Sequence, residues 1–168
     1  QILAEPDALL ALLALLAPVH AFYTRFAALQ LLATLLEHHR AEVQERVLAA
    51  PGGCSAVLHC LEAAPTSSTE IIRNEALLLL PGLVSGSADI QKIIAFEGAF
   101  ERLLDIIAQE GRIEGGVVVQ DALAGLEALL RENASNQVYF RETLSVPLLA
   151  PLLFFPPPLP AHAAEPAR

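Results

Sequence analysis

Two short amphipathic helices are predicted between residues 89 and 109, one on each side of Gly98. In the first helix, apolar residues recur at the i, i+3, i+4 spacing, and in the second they recur at i, i+3, i+4 and i+7. These positions are Ile90, Ile93 and Ile94, followed by Phe100, Leu103, Leu104 and Ile107. Because glycine tolerates a tight turn, Gly98 is predicted to separate the helices and Gly111 to end the second. This pattern is typical of one corner of a helical repeat.

The same periodicity predicts further helices on both sides of this corner. They cover residues 7–16, 22–38, 42–49, 56–63, 70–84, 117–130, 137–143 and 148–154. Ser67 followed by Glu70 has the spacing of a capping box at the start of the helix at 70–84. Pro81 lies inside that helix and is expected to kink or end it, because proline lacks the N–H that the helix needs.

Segments of similar pattern recur along the chain, which indicates a repeat architecture. Gln44, Gln91 and Gln137 occupy equivalent places, 47 and then 46 residues apart. The long helix before each glutamine has matching apolar positions, namely Leu29, Leu32 and Leu36, then Leu77, Leu80 and Val84, then Leu123, Leu126 and Leu130. The sequence therefore predicts an all-α fold, an armadillo/HEAT-like α-solenoid. We expect a right-handed superhelix of about three repeats plus a partial N-terminal repeat at 7–16.

Domain boundaries follow from the same pattern. Residues 1–155 are predicted to form one armadillo-like repeat domain, a fragment of a larger head. Residues 156–168 are rich in proline and alanine and are predicted to be a disordered or polyproline tail. The chain begins at Gln1 without a positively charged leader, which also favours a fragment of a longer protein.

Composition narrows the classes of partner. Hydrophobic residues make up 54% of the chain but aromatic residues only 5%, so the core must consist mainly of Leu, Ala, Val and Ile. The formal net charge is −9, which makes nucleic acid and anionic lipid poor partners. The longest apolar runs are short or interrupted by proline, so no membrane span is predicted. The two cysteines suggest neither a disulfide framework nor a zinc cluster and favour a reducing compartment.

Candidate chemistry is sparse. His38 and His39, with Glu37 and Glu42 nearby, suggest a metal cluster, but adjacent helical residues point about 100° apart, and a solvated helix end is the simpler interpretation. No third ligand has a fixed spacing. We therefore predict no metal site, no cofactor and no catalytic residue. An enzyme that uses the region of these histidines is kept as a third hypothesis, to be tested by metal analysis.

Three other motifs also have simpler explanations. Cys54 and Cys60 are interpreted as small core thiols rather than reactive groups, because no base is fixed near them. The GRIEGG run at 111–116 lacks the Gly-Lys-Ser/Thr ending of a phosphate loop and is interpreted as a connection, with a partner-facing loop as the alternative. Asn133-Ala134-Ser135 fits the glycosylation acceptor pattern, which a cytosolic location would make irrelevant.

Four runs of the sequence resemble a known family. They are IIRNEALLLL at 71–80, IQKIIAFEGAFERLLDII at 90–107, GGVVVQDAL at 115–123 and NASNQVYFRE at 133–142. They closely resemble the armadillo head of the Golgi general vesicular transport factors, the Uso-type vesicle-tethering family also called transcytosis-associated proteins. The resemblance is strong over 73–142, weaker but in register over 5–63, and absent after residue 144. Pro81 departs from the family pattern, in which a helix former occupies this place, and so do residues 156–168.

The resemblance implies a non-enzymatic interaction module of a vesicle-tethering factor in ER-to-Golgi and intra-Golgi transport. Such a factor is cytoplasmic and peripheral on Golgi membranes and transport vesicles, where it docks vesicles before membrane fusion. Its implied partners are proteins: a Rab-family small GTPase, the fusion machinery and golgins. The alternative hypothesis is a generic armadillo adaptor that binds an extended or helical peptide in its concave groove.

Candidate contact residues lie off the apolar stripe of the corner's second helix. In armadillo stacks the last helix of each repeat lines the concave face, which makes Glu101, Arg102, Asp105 and Gln109 candidates. The alternative is ordinary solvated helix surface. Arg73 and Asn74 are also candidates, with a polar helix start as the alternative.

The two ends of the stack are also expected to show apolar surface. The faces at residues 8–16 and 148–155 have no neighbouring repeat in this sequence, so they are predicted to be exposed, or covered by self-association as in a homodimer.

Overall fold

The structure, a computed structural model, describes residues 3, 5, 7–62, 66–144 and 148–152. Within these ranges the chain forms eight α-helices and no strand. The helices are α1 (Ala8–Ala14), α2 (Phe22–Ala49), α3 (Gly53–Leu58), α4 (Ser67–Val84), α5 (Ala88–Phe96), α6 (Ala99–Gln109), α7 (Gly116–Leu130) and α8 (Ala134–Tyr139). Short 3-10 helices occur at His59–Leu61, Arg112–Glu114 and Ala150–Leu152, and a π-helix, Phe140–Leu144, continues from α8.

The long helices stack in chain order, which confirms the predicted all-α, armadillo-like solenoid. Helix α4 packs between α2 and α7, and α6 packs on α7 within the same stack. One continuous hydrophobic core runs through the described helices, from Leu9 in α1 to Leu129 in α7. None of the helices in the described ranges combines the length and hydrophobicity that crossing a bilayer requires.

A kink in α2 explains how one helix supplies two parts of a repeat. The sequence predicted separate helices at 22–38 and 42–49, and α2 spans both. Its backbone leaves the helical region at His39, where φ is −137° and ψ is 39°. The part before the kink is therefore the long helix of the first repeat and the part after it is the short helix. Helices α4 and α5, and then α7 and α8, play the same two roles.

Helix α4 differs from the prediction at its start and continues through Pro81. Its N-cap is Thr66 rather than Ser67, because the Oγ1 of Thr66 accepts a hydrogen bond from the Thr69 N–H (3.3 Å) and the Thr69 Oγ1 accepts one from the Thr66 N–H (3.1 Å). Of the two outcomes expected at Pro81, the end of the helix is wrong, since α4 continues to Val84, and the kink stays a prediction. The last turn is held by Ser85, whose N–H (3.1 Å) and Oγ–H (2.6 Å) both donate to the carbonyl of Pro81.

Other helix boundaries also differ from the prediction. Helix α8 begins before the predicted residue 137, since the Asn133 side chain accepts a hydrogen bond from the Asn136 N–H (3.1 Å). Helix α3 begins at Gly53 rather than at residue 56, and the chain continues from it into the 3-10 helix at His59–Leu61. Of the helix predicted at 148–154, the described part is the 3-10 helix at Ala150–Leu152. The predicted boundary between residues 155 and 156, and the tail after it, lie outside the described residues.

The apolar end faces are only partly exposed. In α1 and the turn that follows, Leu9, Leu12, Leu13 and Leu16 are buried, because α1 packs on α2 and α3. Leu10 and Leu15 are exposed by 45% and 37%, and at the other end Leu148 is exposed by 55%. The prediction of an exposed face is therefore correct for the outward residues and wrong for the inner leucines of α1.

Two of the three repeat-defining glutamines tie one repeat to the next. Gln44 and Gln91 are buried, and the Nε2 of each donates two hydrogen bonds to carbonyls at the end of the following long helix, α4 or α7. The acceptors are Leu83 O (2.8 Å) and Ser85 O (2.9 Å) for Gln44, and Ala128 O (2.7 Å) and Arg131 O (3.1 Å) for Gln91. Because the last carbonyls of a helix have no intrahelical donor, these amides cap the helix from the preceding repeat. We call Gln44 and Gln91 the clamp glutamines.

The second clamp is reinforced by asparagines around α8. Asn133 Nδ2 donates to Gln91 Oε1 (2.9 Å), and Asn136 Nδ2 donates to the carbonyl of Gln91 (3.0 Å). Gln137, the third glutamine of the series, is exposed and donates to Leu130 O (2.9 Å) within its own repeat. The sequence equivalence of the glutamines therefore corresponds to two inter-repeat clamps and one local bond.

We expect Gln91→Leu to lower the free energy of unfolding by about 2–3 kcal/mol, because buried polar groups of α7 and of Asn133 lose their partner. Gln137→Leu is the matched control, and its loss of one exposed hydrogen bond should cost less than about 1 kcal/mol. Urea unfolding followed by far-UV circular dichroism measures both. Equal destabilisation by the two variants would contradict the clamp.

Candidate protein-interaction face

Helix α6 buries its apolar side in the core, so its polar side chains point outward. Phe100, Leu103, Ile106 and Ile107 are buried, so the residues between them point away from α7. The helix begins after Gly98, whose φ of +90° suits glycine and turns the chain sharply out of α5. Glu101, Asp105 and Gln109 follow at intervals of four residues and are exposed along one side of α6.

Helices α3 and α6, which come from successive repeats, contribute to one surface. The Oγ of Ser55 donates to the carboxylate of Glu97 (2.9 Å), in the turn that precedes α6. Arg102 Nη2 lies 3.7 Å from the carboxylate of Glu62, which follows the 3-10 helix after α3. We call this surface the α3–α6 face. It consists of Ser55, His59 and Glu62 from the first repeat and Glu101, Arg102, Asp105 and Gln109 from the second.

A pocket of about 190 Å³ opens on the α3–α6 face. Its lining residues are Leu61, Glu62, Arg73, Arg102, Asp105, Ile106 and Gln109. Four of the six predicted contact residues therefore meet in one place. Glu101 lies one turn before Asp105 on α6, and Asn74 lies next to Arg73 in α4.

Arg73, which the sequence offered as a partner contact or as part of a polar helix start, is a buried residue that lines this pocket. Only 4% of the residue is exposed. Its Nη2 donates to Glu110 Oε1 (2.6 Å), and its Nε and Nη2 donate to Asn74 Oδ1 (3.2 and 3.1 Å). Arg73 therefore links α4 to the end of α6, and Asn74 serves to orient the guanidinium group.

The carboxylates of α6 have a different environment. Glu101 and Asp105 are both exposed, and neither makes a hydrogen bond or an ion pair with the residues that the structure describes. Arg102, between them in sequence, donates from Nη1 to the carbonyl of Glu97 (2.7 Å). The positive groups of the face are thus engaged within the chain, whereas two carboxylates are available.

The sequence prediction did not include Glu62, which lines the pocket, or Glu110, which pairs with Arg73. The repeat spacing could have identified Glu62, because it lies 47 residues before Gln109 and so occupies the equivalent place in the preceding repeat. No comparable signal existed for Glu110, since its pairing with Arg73 spans 37 residues and two helices.

The histidines, the run at 111–116 and the glycosylation pattern lie in three separate parts of the described chain. His38 and His39 are exposed at the kink of α2, and within the described residues no three His, Cys, Asp or Glu side chains are grouped so as to hold a metal ion. The run at 111–116 contains the 3-10 helix Arg112–Glu114 and connects α6 to α7, and the alternative of a partner-facing loop stays a prediction. Asn133 of the glycosylation pattern is buried, and only 3% of it is exposed.

Cys54 and Cys60 are buried free thiols, as predicted for core residues. Burial raises the pKa of the Cys54 thiol from 9.0 to about 11, and the negative charge of Glu97 adds to the shift. Burial also raises the pKa of Cys60, although the nearby Arg25 acts in the opposite direction. Both thiols are therefore protonated and poorly nucleophilic at neutral pH.

Comparison with known proteins reveals close relatives. The general vesicular transport factor p115 of Homo sapiens is 46% identical over 121 residues, which cover 72% of this chain and 12% of p115. The intracellular protein transport protein USO1 of Saccharomyces cerevisiae is 37% identical over 135 residues, which cover 80% of this chain and 7% of USO1. The chain thus spans about an eighth of the length of p115 and less of USO1. No family model matches the chain.

Two solved structures share the fold. The crystal structure of Uso1-2 superposes with a TM-score of 0.83 at 34% sequence identity and covers 90% of this chain and 22% of Uso1-2. The crystal structure of Uso1-1 superposes with a TM-score of 0.84 at 32% identity and covers 94% of this chain and 25% of Uso1-1. The repeat stack described above is therefore a segment of the same architecture.

We expect Glu110→Gln to destabilise the chain by about 1–3 kcal/mol, because it leaves the buried guanidinium of Arg73 without its negative partner. Glu101→Gln removes an equal charge from an exposed, unpartnered position and should change stability by less than about 0.5 kcal/mol. Thermal and urea unfolding of both variants provide the measurement. If Glu101→Gln proved as costly as Glu110→Gln, the structural role of the Arg73–Glu110 pair would be refuted.

We expect Cys54 in the folded chain to react with iodoacetamide at pH 8 about a hundredfold more slowly than an ordinary thiol, because its raised pKa suppresses the thiolate. Mass spectrometry of labelled peptides, with urea-denatured chain as the control, measures this. Since the folded-state pKa is raised, the stabilisation by the neutral thiol is complete below pH 9.0 and should be lost as the pH rises toward about 11. Fast labelling of folded Cys54 would contradict this assignment.

Proposed function

The chain belongs to the family of the p115 and Uso1 vesicular transport factors, and we propose that it is a protein-interaction segment of a vesicle-tethering factor. The observation that carries this proposal is the 46% identity to human p115 over 72% of the chain. The relatives are named for vesicular and intracellular protein transport. In this proposal the chain acts in ER-to-Golgi and intra-Golgi transport, at the step that docks vesicles before membrane fusion.

The proposed partners are proteins. They are a Rab-family small GTPase, the fusion machinery and golgins, and the chain reaches Golgi membranes and vesicles through them. A repeat stack suits this role, because its successive helices form an extended surface without requiring a catalytic centre. The α3–α6 face supports the proposal with charged side chains from two repeats around one pocket. Its contact residues are proposed to be Arg73, Asn74, Glu101, Arg102, Asp105 and Gln109.

The test is nucleotide-dependent binding to a GTPase. We expect the immobilised chain to retain at least one Golgi Rab GTPase about tenfold more strongly when it is loaded with a GTP analogue than with GDP. Surface plasmon resonance measures both affinities in one series. The absence of binding, or equal binding of both nucleotide states for every Golgi Rab tested, would contradict the GTPase part of the proposal.

The same binding experiments, with a peptide as a second ligand, distinguish the GTPase proposal from the adaptor alternative. If Glu101→Lys and Asp105→Lys together abolish binding of a peptide but leave GTPase binding unchanged, the α3–α6 face is a peptide site and the GTPase uses another surface.

A further inference from the structure

We propose that the α3–α6 face binds an extended, basic peptide segment of its partner. In this arrangement Lys or Arg side chains of the segment pair with Glu101 and Asp105, and a main-chain carbonyl of the segment accepts a hydrogen bond from Arg73 in the pocket. The inference rests on the proposed function in taking this face as the contact surface, and it adds the chemistry of the partner.

The charge balance of the face selects a basic partner. Arg102 is already engaged, because its Nη1 donates to the carbonyl of Glu97 (2.7 Å) and its Nη2 lies 3.7 Å from Glu62. Glu101 and Asp105 have no partner among the described residues. The charge left without a counterpart on this face is therefore negative. A basic segment would be attracted by these two carboxylates, whereas an acidic segment would be repelled by them.

The buried guanidinium group supplies an independent indication of a ligand. Within the described part of the chain, Arg73 forms hydrogen bonds through Nε and Nη2 but none through Nη1. Every fully buried side-chain nitrogen or oxygen in the described residues has a hydrogen-bond partner. Nη1 has none and is therefore at least partly accessible. Arg73 lines the pocket and only 4% of the residue is exposed, so in this proposal Nη1 is the donor that remains for a ligand in the pocket. An uncharged acceptor such as a peptide carbonyl fits a donor whose charge Glu110 already balances.

The spacing of the carboxylates favours an extended segment over a helix. Glu101 and Asp105 are four residues apart on α6, so they are separated by about 6 Å along the helix axis. In an extended peptide, alternate side chains lie on one side at intervals of about 6.6 Å. Basic residues at every second position of the segment therefore match successive turns of α6. Gln109, one turn further, continues the row with an amide.

The pocket also suits the stem of a basic side chain. Leu61 and Ile106 form its apolar lining beside Glu62 and Asp105. Lysine and arginine combine a methylene chain with a terminal charge, so the stem can cover these residues while the charge reaches a carboxylate.

The test uses a fluorescein-labelled heptapeptide of alternating lysine and alanine, with lysine at both ends. Two control peptides are a permuted heptapeptide of the same composition with its lysines paired at the ends, and an alternating glutamate–alanine heptapeptide. Fluorescence anisotropy at low salt measures binding to the whole chain. We expect the alternating lysine peptide to bind at least about tenfold more tightly than the glutamate peptide and about threefold more tightly than the permuted one.

Two double variants that remove equal charge test whether the peptide binds at the α3–α6 face. Glu101→Gln with Asp105→Asn should weaken binding by at least about fivefold. Glu37→Gln with Glu45→Gln removes the same charge from exposed positions on α2 and should weaken it by less than about twofold. In the wild-type chain, the guanidinium N–H signals of Arg73 in heteronuclear NMR should shift as the peptide is added, which needs no substitution of a buried residue.

Several results would overturn the inference. They are no binding of the alternating lysine peptide, equal loss in the two double variants, equal affinity for the permuted peptide, or an Arg73 signal that does not move. GTPase binding is measured on the same preparations, so the two proposals fail separately. If the peptide does not bind while nucleotide-dependent GTPase binding is present, only the basic-segment inference is lost. If the peptide is bound selectively and the GTPase is not, only the GTPase proposal is lost.

Discussion

At each described junction between repeats, the side-chain amide of one glutamine donates hydrogen bonds to the end of the next long helix. A helix ends with carbonyls that have no donor within the helix, and water normally satisfies them. In the stack, some of the carbonyls at the ends of α4 and α7 accept hydrogen bonds from the preceding repeat instead. Gln44 and Gln91 donate two of these hydrogen bonds each. Apolar stacking alone would tolerate sliding of one repeat over the next, whereas these directional bonds fix the register in which α3 and α6 meet.

This register is what makes the α3–α6 face possible, because neither repeat contains it alone. Glu62 belongs to one repeat, Asp105 belongs to the next, and Arg73 lies in α4 between them and the core. Their arrangement around one pocket follows from the stacking of complete helices rather than from any local motif. A repeat protein can thus form a chemically specific surface from residues that are unremarkable in their own segment.

The sequence predicted the helices better than their ends or their partners. Apolar periodicity located α6 and its outward side correctly, because the stripe and Gly98 are local signals. The pattern left a kink and an end at Pro81 as alternatives, and α4 continues through Pro81 to its predicted last residue, Val84, where Ser85 bonds to the Pro81 carbonyl. The burial of Arg73 was missed, since its partner Glu110 is 37 residues away. The glutamines were recognised as equivalent, but their acceptors, 37 to 41 residues downstream, depend on the tertiary stack.

The asparagine at the start of α8 belongs to a glycosylation acceptor pattern, but its side chain is used by the packing of the repeats. Asn133, in the pattern Asn133-Ala134-Ser135, uses its Nδ2 to donate to Gln91 Oε1 (2.9 Å) and Ala88 O (3.3 Å). This is the nitrogen that a glycan would occupy. A sugar attached there would exclude α8 from its seat against α5 and leave the clamp amide of Gln91 without one of its neighbours. Folding and glycosylation at this position are therefore mutually exclusive, and the motif serves here as a helix cap.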